Sequence, residues 1–109
     1  MSDWLSMVRR SFASGTVLYS RHAREEMRNE EFGAVLEAEV SESVAAGEVI
    51  EEYPDDRPYA SRLIFGTTEG GRPIHALCAY DMDEEIAIVI TVYQPDPRRW
   101  VEFRRRRTS

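Results

Sequence analysis

The chain has 109 residues, of which 42% are hydrophobic and 31% charged, and its net charge at pH 7 is −6. This length suits one domain and is short for two. The composition is too hydrophobic for a disordered chain, and no stretch approaches the roughly 18 uninterrupted apolar residues of a membrane span. A single cysteine, Cys78, excludes an intramolecular disulfide. We therefore expect a soluble cytoplasmic protein without a metal, a cofactor or a membrane contact.

Positive charge is concentrated at the two ends of the chain. The first 28 residues carry a net +2 and the last 12 a net +5, while the segments between them are acidic. Every cation is an arginine, and four of them are consecutive at 104–107. The guanidinium group binds phosphate through a planar fork of donors. The basic ends indicate either a phosphate contact or a solvated tail without a specific role.

The first part of the chain predicts two helical segments around a short strand. Apolar residues at near-helical spacing over residues 4–12 predict an amphipathic arm, which Gly15 ends and which lies on the body of the protein or on a partner. Thr16–Tyr19 is β-branched and aromatic, which favours a strand. Ser20 is placed to cap a surface helix over about residues 21–31.

A second helix and a change of period follow. Apolar residues recur four apart within Leu36–Val44 and predict a helix that stops at Gly47. The period then changes to two, and Val49–Tyr53 predicts a strand. Pro54–Pro58 has the composition of a turn and ends that strand.

Three further segments have the pattern of antiparallel strands. Ser61–Thr67 is joined to Arg72–Asp81 through Gly70 and Gly71, and a tight hairpin there favours positive φ at both glycines. An acidic turn then leads into Glu84–Gln94. Together with the preceding strand these segments predict a four-stranded meander.

The last strand and the segment after it complete the predicted fold. Pro97 is placed to begin a short helix that carries Trp100 and Phe103 into the arginine tail. The order strand, helix, helix, four antiparallel strands and a C-terminal helical hook predicts an α+β fold. We expect residues 1–15 to form the arm and residues 16–109 a single domain. The side of the last strand expected in the core consists of Ile86, Ile88, Ile90 and Val92.

Few side chains in the sequence offer chemistry. His22, at the start of a helix, could act as a general base or bind a phosphate, or it could only fix the helix to a strand. His75 lies among apolar residues of a strand, which is typical of a structural histidine. Together the two imidazoles would supply the acid and base that RNA cleavage by 2′-hydroxyl attack requires. Trp100 would either pack the hook on the sheet or stack on a base.

Four ordered motifs in the sequence resemble domain-of-unknown-function family 4258. That family is similar to toxins of the RelE/ParE type, and the resemblance covers roughly residues 16–107. It implies a curved antiparallel sheet with a short first strand, two helices on one face, and the site on the other face. The motifs are Tyr19–Met27, Gly47–Asp56, Gly71–His75, and Thr91–Pro97 followed by Trp100.

The resemblance also implies a function. Toxins of the RelE type bind RNA on the ribosome and cleave it with basic and aromatic residues. Family members are often encoded beside small antitoxin-like proteins with a zinc-finger or helix-turn-helix segment. The motifs match the recurring residues of the family at His22, His75, Tyr93 and Trp100. We expect His22, His75 and Tyr93 to be catalytic. The expected substrate contacts are Arg72, Arg98, Trp100 and Arg104.

Two hypotheses follow for the activity of the chain. The first is a toxin-like, RNA-directed endoribonuclease in which His22 and His75 share a pocket beside guanidinium groups. The second is a non-catalytic protein-interaction module of the same fold, which binds a partner protein or a second copy through the sheet, the hook or the apolar arm. RNA binding through arginines weakens steeply with ionic strength, whereas binding through an apolar surface does not.

Overall fold

All three helices contribute apolar side chains to one hydrophobic core against a five-stranded sheet. The computed structural model describes residues 3–108. No helix within that range is both long enough and apolar enough to cross a membrane. In chain order the elements are α1 (Trp4–Ser14), β1 (Val17–Tyr19), α2 (Arg21–Asn29), α3 (Glu37–Ala46), β2 (Glu48–Tyr53), β3 (Ser61–Thr67), β4 (Pro73–Asp81), β5 (Ile86–Tyr93), β6 (Trp100–Val101) and β7 (Arg105–Arg106).

The sheet is mixed, with the strand order β1-β5-β4-β3-β2. Strands β2 to β5 form the predicted antiparallel meander. The prediction of an entirely antiparallel sheet is wrong, because β1 pairs parallel to β5. A tight hairpin turn can join only antiparallel strands. The chain after β1 instead runs through two helices and enters the sheet again at the opposite edge, as β2. This long connection allows β1 to pair parallel to β5. The fold class α+β is confirmed.

Helix α1 packs against the hydrophobic core, so the amphipathic arm lies on the body of the protein. Val8 is completely buried, and Trp4 and Leu5 pack against the same core. Arg9 donates hydrogen bonds from its guanidinium to the carbonyl oxygens of Val44 (3.1 Å) and Gly47 (2.7 Å) at the end of α3. These contacts satisfy carbonyl groups that the end of a helix leaves unpaired. Trp4, Leu5 and Phe12 of this helix are half-buried.

The helix boundaries follow local capping chemistry. The side chain of Ser20 accepts a hydrogen bond from the backbone N–H of Ala23, as predicted for an N-cap. Gly15 ends α1 in the left-handed region with φ of 77°. Helix α2 ends at Asn29, two residues before the predicted end.

The predicted core side of β5 is wrong for three of its four residues. The buried side chains are Ala87, Val89 and Val92, which face the helices. The register between β4 and β5 shifts next to Cys78 and leaves Ile90 without a partner, so that β5 carries a bulge. Because a bulge adds one residue, Val92 shares the helix-facing side with Ala87 and Val89. The half-buried residues of the opposite side are Ile86 and Ile88, and the bulged Ile90 is also half-buried.

The turn between β3 and β4 needs only one glycine with positive φ. Gly71 has φ of 91°, whereas Gly70 does not adopt a positive φ, so the predicted pair is wrong for Gly70. The turn is closed by Thr68, whose N–H donates to the carbonyl of Arg72 at 2.9 Å and whose carbonyl accepts from the N–H of Gly71 at 2.9 Å.

The C-terminal helical hook is also wrong, because the segment forms a short hairpin. Within the described part of the chain, strands β6 and β7 pair only with each other, and Trp100 lies opposite Arg106. Glu102 and Phe103 at the turn have φ of 53° and 63°. Two consecutive residues in this region suit a tight hairpin turn and are incompatible with a right-handed helix. The hairpin covers part of the sheet face that the helices leave free.

Candidate functional site

His75 is completely buried on the sheet face opposite the helices. Its Nε2 atom lies 2.6 Å from the carbonyl oxygen of Phe103, and its Nδ1 atom lies 3.1 Å from the hydroxyl of Tyr93. A carbonyl oxygen only accepts, so Nε2 carries the proton and Nδ1 accepts from Tyr93. Burial lowers the pKa of His75 to about 4, although the Phe103 carbonyl and Glu51 oppose this shift. The imidazole is therefore neutral at pH 7.

Trp100 packs the hairpin onto His75 and has almost no free surface. The two ring centroids are 4.4 Å apart in an edge-to-face arrangement, and the Arg106 guanidinium lies 4.6 Å from the centre of the indole. Only 4% of Trp100 is exposed. A base cannot stack on a ring that the protein already encloses. The geometry therefore corresponds to the structural alternative for Trp100.

Arg72 connects three parts of the fold through its guanidinium. Its Nε donates to the side chain of Gln94 at 2.7 Å, and Nη1 donates to Glu39 at 3.2 Å and to the carbonyl of Ala34 at 2.9 Å. Nη2 donates to the carbonyl of Gly33. Since protein atoms take up the fork, Arg72 fixes the α2–α3 loop to the sheet and does not present donors to a phosphate.

The two other predicted phosphate contacts are ion-paired at the surface. Arg98 binds both carboxylate oxygens of Asp96, and its side chain is 79% exposed. Arg104 lies 2.9 Å from a carboxylate oxygen of Glu48 and packs over the ring of Phe65. Both arginines remain accessible to solvent, so a phosphate could exchange with either carboxylate.

His22 and Tyr93 line one open cleft of about 450 Å³ beside α2. Nε2 of His22 lies 3.4 Å from a carboxylate oxygen of Glu26, one helical turn further along the same face. The other oxygen of Glu26 accepts the backbone N–H of Val92 at 3.0 Å. This contact fixes the carboxylate beside His22.

A second cavity of about 560 Å³ adjoins the first and shares Tyr93 with it. Its lining adds the half-exposed ring of Phe32 and three arginines, Arg98, Arg99 and Arg106. The Arg99 side chain forms no ion pair within residues 3–108. We call the two cavities together the Tyr93 groove.

The structure brings His22 and Tyr93 together but does not place the two histidines in a shared open pocket. His75 is sealed beneath the hairpin, and the side chains of Tyr93 and Trp100, which line the groove, lie between it and the open space. The prediction that His22 and His75 share an accessible pocket is therefore wrong. An enclosed ring whose two nitrogens are already bonded cannot contact a substrate.

Two groove residues escape the reasoning from sequence, Glu26 and Phe32. Glu26 is detectable in principle, because it stands four residues after His22, where a helix places side chains together. Phe32 carries no such signal, since its position depends on how the α2–α3 loop folds. Glu30 has a structural role, because it accepts a hydrogen bond from the backbone N–H of Gln94 at 2.8 Å.

Among residues 3–108 no cluster of histidine, cysteine and acidic side chains is arranged to hold a metal ion.

The buried His75 makes stability depend on pH. Its pKa is about 4 in the folded protein against an ordinary value of 6.5, so the unfolded chain binds the proton first as the pH falls. The contribution of His75 to the free energy of unfolding is complete above pH 6.5. It is lost as the pH falls through 4. At about 1.4 kcal/mol per pKa unit, we expect it to supply roughly 3 kcal/mol of the pH dependence. In urea unfolding, the difference between the wild type and His75→Ala should narrow from pH 7 to pH 4, and a constant difference would contradict this assignment.

The family described as Domain of unknown function (DUF4258) matches residues 19–94 of the chain. No curated protein and no solved structure matches it. The matched range contains His22, His75 and Tyr93, whereas the hairpin lies beyond it. The match covers well over half of the chain and includes the sheet, apart from the first two residues of β1, together with both helices of the predicted domain. The chain therefore belongs to this family of domains of unknown function.

Proposed function

We propose that the protein is a toxin-like, RNA-directed endoribonuclease that takes single-stranded RNA into the Tyr93 groove. One observation carries the proposal: His22 and Tyr93 line a cleft that continues into a cavity with three arginines. The relationship to RelE/ParE-type toxins, a ribosome-bound target and an antitoxin partner belong to the same proposal. So does a cytoplasmic location.

His22 is the general base in this proposal. Its Nδ1 atom accepts the proton of an RNA 2′-hydroxyl, while Glu26 at the other nitrogen stabilises the imidazolium that forms. The 2′-oxygen then attacks the adjacent phosphorus, and the bond to the 5′-oxygen breaks. The products are a 2′,3′-cyclic phosphate and a free 5′-hydroxyl, which takes up a proton from solvent.

The aromatic and basic side chains of the groove bind the substrate in this proposal. Tyr93 and Phe32 offer ring surface on which bases can stack, and Arg98 and Arg99 are placed to contact phosphates. His75 is a positioning residue in this scheme, because its Nδ1 atom holds the Tyr93 hydroxyl. Catalytic roles for His75 and Tyr93 are not needed.

The negative charge of the protein limits the binding to short range. At physiological salt, charges further away than about 8 Å are largely screened. Glu26 and Glu30 are also held by backbone N–H groups of β5 and its extension. We therefore expect an affinity that depends on local arginines and falls steeply with salt.

A direct test compares the wild type with His22→Gln on a short single-stranded RNA, with and without ribosomes. Loss of a general base lowers the rate by about a hundredfold or more. The substitution lies on an exposed side chain, so the thermal melting temperature should not change. Arg10→Gln on α1, outside the groove, is the matched control and should cleave like the wild type. Equal cleavage by the wild type and His22→Gln would remove the proposal.

A second candidate is a non-catalytic domain that binds a basic segment of a partner protein. Four carboxylates, Glu25, Glu26, Glu30 and Glu31, line the first cavity and favour a cationic ligand. In that case an arginine-rich peptide binds in the cleft, RNA stays intact, and Arg99→Ala leaves binding unchanged.

A further inference from the structure

The C-terminal hairpin presents a row of arginines to acidic side chains of the sheet. We name residues 100–107 the arginine hairpin. We propose that the arginine hairpin extends the RNA path beyond the Tyr93 groove, and that Glu48 and Glu51 occupy this extension as phosphate mimics in the free protein. The inference rests on the proposed function and adds to it an internal competitor for the nucleic acid.

Glu51 is bound to Arg106 in the way that a guanidinium binds a phosphate. The Nε and Nη2 atoms of Arg106 lie 3.0 and 3.2 Å from the two carboxylate oxygens of Glu51. Such paired, parallel hydrogen bonds are the arrangement by which arginine recognises planar carboxylates and phosphates alike. The hydroxyl of Tyr53 donates to Glu51 as well. Glu51 thus occupies the position on Arg106 that a phosphate would take.

A second ion pair joins the hairpin to the same strand of the sheet, β2, through a single hydrogen bond. Nε of Arg104 lies 2.9 Å from a carboxylate oxygen of Glu48. Arg104 at the turn and Arg106 on β7 both reach carboxylates of β2, and the residues Arg104, Arg105 and Arg106 are all exposed. Within residues 3–108, Arg105 forms no ion pair. Arg107 also has no carboxylate partner within this range, and its Nε donates to the carbonyl of Pro97. The hairpin therefore offers two cations without a carboxylate partner and two that carboxylates hold.

Both pairs are open to solvent on the arginine side. The Arg104 and Arg106 side chains are 49% and 62% exposed, whereas Glu48 is 52% and Glu51 22% exposed. Ion pairs that solvent reaches contribute little to stability. A nucleic acid brings several phosphates at once and gains further from the release of its counterions. The backbone of the hairpin stays in place during the exchange, because Trp100 and the Phe103 carbonyl anchor it on His75.

The hairpin also adjoins the proposed RNA site. Arg106 lines the second cavity of the Tyr93 groove and at the same time bonds Glu51 on the sheet. A strand that leaves the groove beside Arg98 and Arg99 therefore reaches Arg106 next. Glu51 neutralises the charge of Arg106 and so lowers the affinity of this part of the hairpin for nucleic acid. A phosphate that displaces the carboxylate of Glu51 restores that affinity.

The test measures binding of a short deoxythymidine oligonucleotide by fluorescence anisotropy. This probe carries phosphates without the 2′-hydroxyl that cleavage needs, so binding is measured separately from catalysis. Glu51→Gln should bind more tightly than the wild type by up to about fivefold, the factor that corresponds to loss of one exposed ion pair. Glu52→Gln removes the same charge from an exposed position on the opposite face of β2, and it should change the affinity less.

A second pair of variants keeps the result specific to the proposed contact. The first comparison is made in a protein that already carries Arg106→Gln. There, Glu51→Gln and Glu52→Gln should increase the affinity for the oligonucleotide by the same amount. Glu48→Gln should reproduce the gain of Glu51→Gln through Arg104. Equal affinities of Glu51→Gln and Glu52→Gln would overturn the inference. RNA cleavage that depends on His22 would then leave the proposed function standing, whereas a Glu51-specific gain without any RNA cleavage would leave only this inference.

Discussion

His75→Ala should lower the free energy of unfolding by about 3 kcal/mol at pH 7. The substitution leaves a cavity beneath Trp100 and removes the partners of two polar groups, the Tyr93 hydroxyl and the Phe103 carbonyl. Large-to-small changes in a core cost roughly 2–5 kcal/mol, and an unpaired buried polar group adds about 1–3 kcal/mol unless water reaches it. Urea unfolding followed by the fluorescence of the tryptophans measures the loss.

His22→Ala is the matched control for this prediction. It removes the other imidazole of the chain, but the side chain of His22 is 66% exposed. Substitutions at such positions change stability by less than about 0.5 kcal/mol. A loss below 1 kcal/mol for His75→Ala would show that His75 does not hold the hairpin on the sheet.

Gly66→Ala should destabilise the protein by about 3 kcal/mol or more. A Cβ atom at this position of β3 would lie 1.8 Å from the carbonyl oxygen of Ser43 and 2.6 Å from its carbonyl carbon. Both atoms belong to the backbone of α3, so no rotation of a side chain relieves the contact. The helix itself must move, and overpacking of this kind costs roughly 1–3 kcal/mol and in severe cases more.

Gly70→Ala tests whether the effect is steric. The nearest atom to its Cβ would be the Thr68 hydroxyl oxygen at 3.9 Å, and its φ is not positive. We expect its free energy of unfolding to stay within about 0.5 kcal/mol of the wild type. If thermal denaturation shows the same loss for Gly66→Ala and Gly70→Ala, close packing of α3 on β3 is not the cause.

Much of the fold could be predicted from local patterns. The cap at Ser20, the end of α1 at Gly15 and the strands of the meander are set by neighbouring residues, and the structure contains them. The parallel pairing of β1 and the bulge at Ile90 depend on contacts between distant segments, so the local sequence holds no signal for them. The alternation of large apolar residues on β5 predicts the wrong core side. The helices cover the side of β5 that carries the smaller apolar residues.

The candidate site was harder to predict because it depends on which side chains are already occupied. Arg72 and Trp100 have the chemistry of RNA contacts, but hydrogen bonds and packing within the protein use them. His75 has the chemistry of a proton donor, but burial keeps it neutral and out of reach. Only the three-dimensional structure distinguishes such residues from His22, which remains accessible.

The most direct measurement of the central claim is the chemistry of RNA cleavage in the Tyr93 groove. We expect the wild type to cut a single-stranded RNA and to leave 2′,3′-cyclic phosphate ends, which mass spectrometry identifies. His22→Gln should leave the same RNA intact under the same conditions, and an oligonucleotide with 2′-deoxy sugars should stay intact with either protein. Cleavage of the 2′-deoxy oligonucleotide, or intact RNA after incubation with the wild type in the presence of ribosomes, would contradict the account.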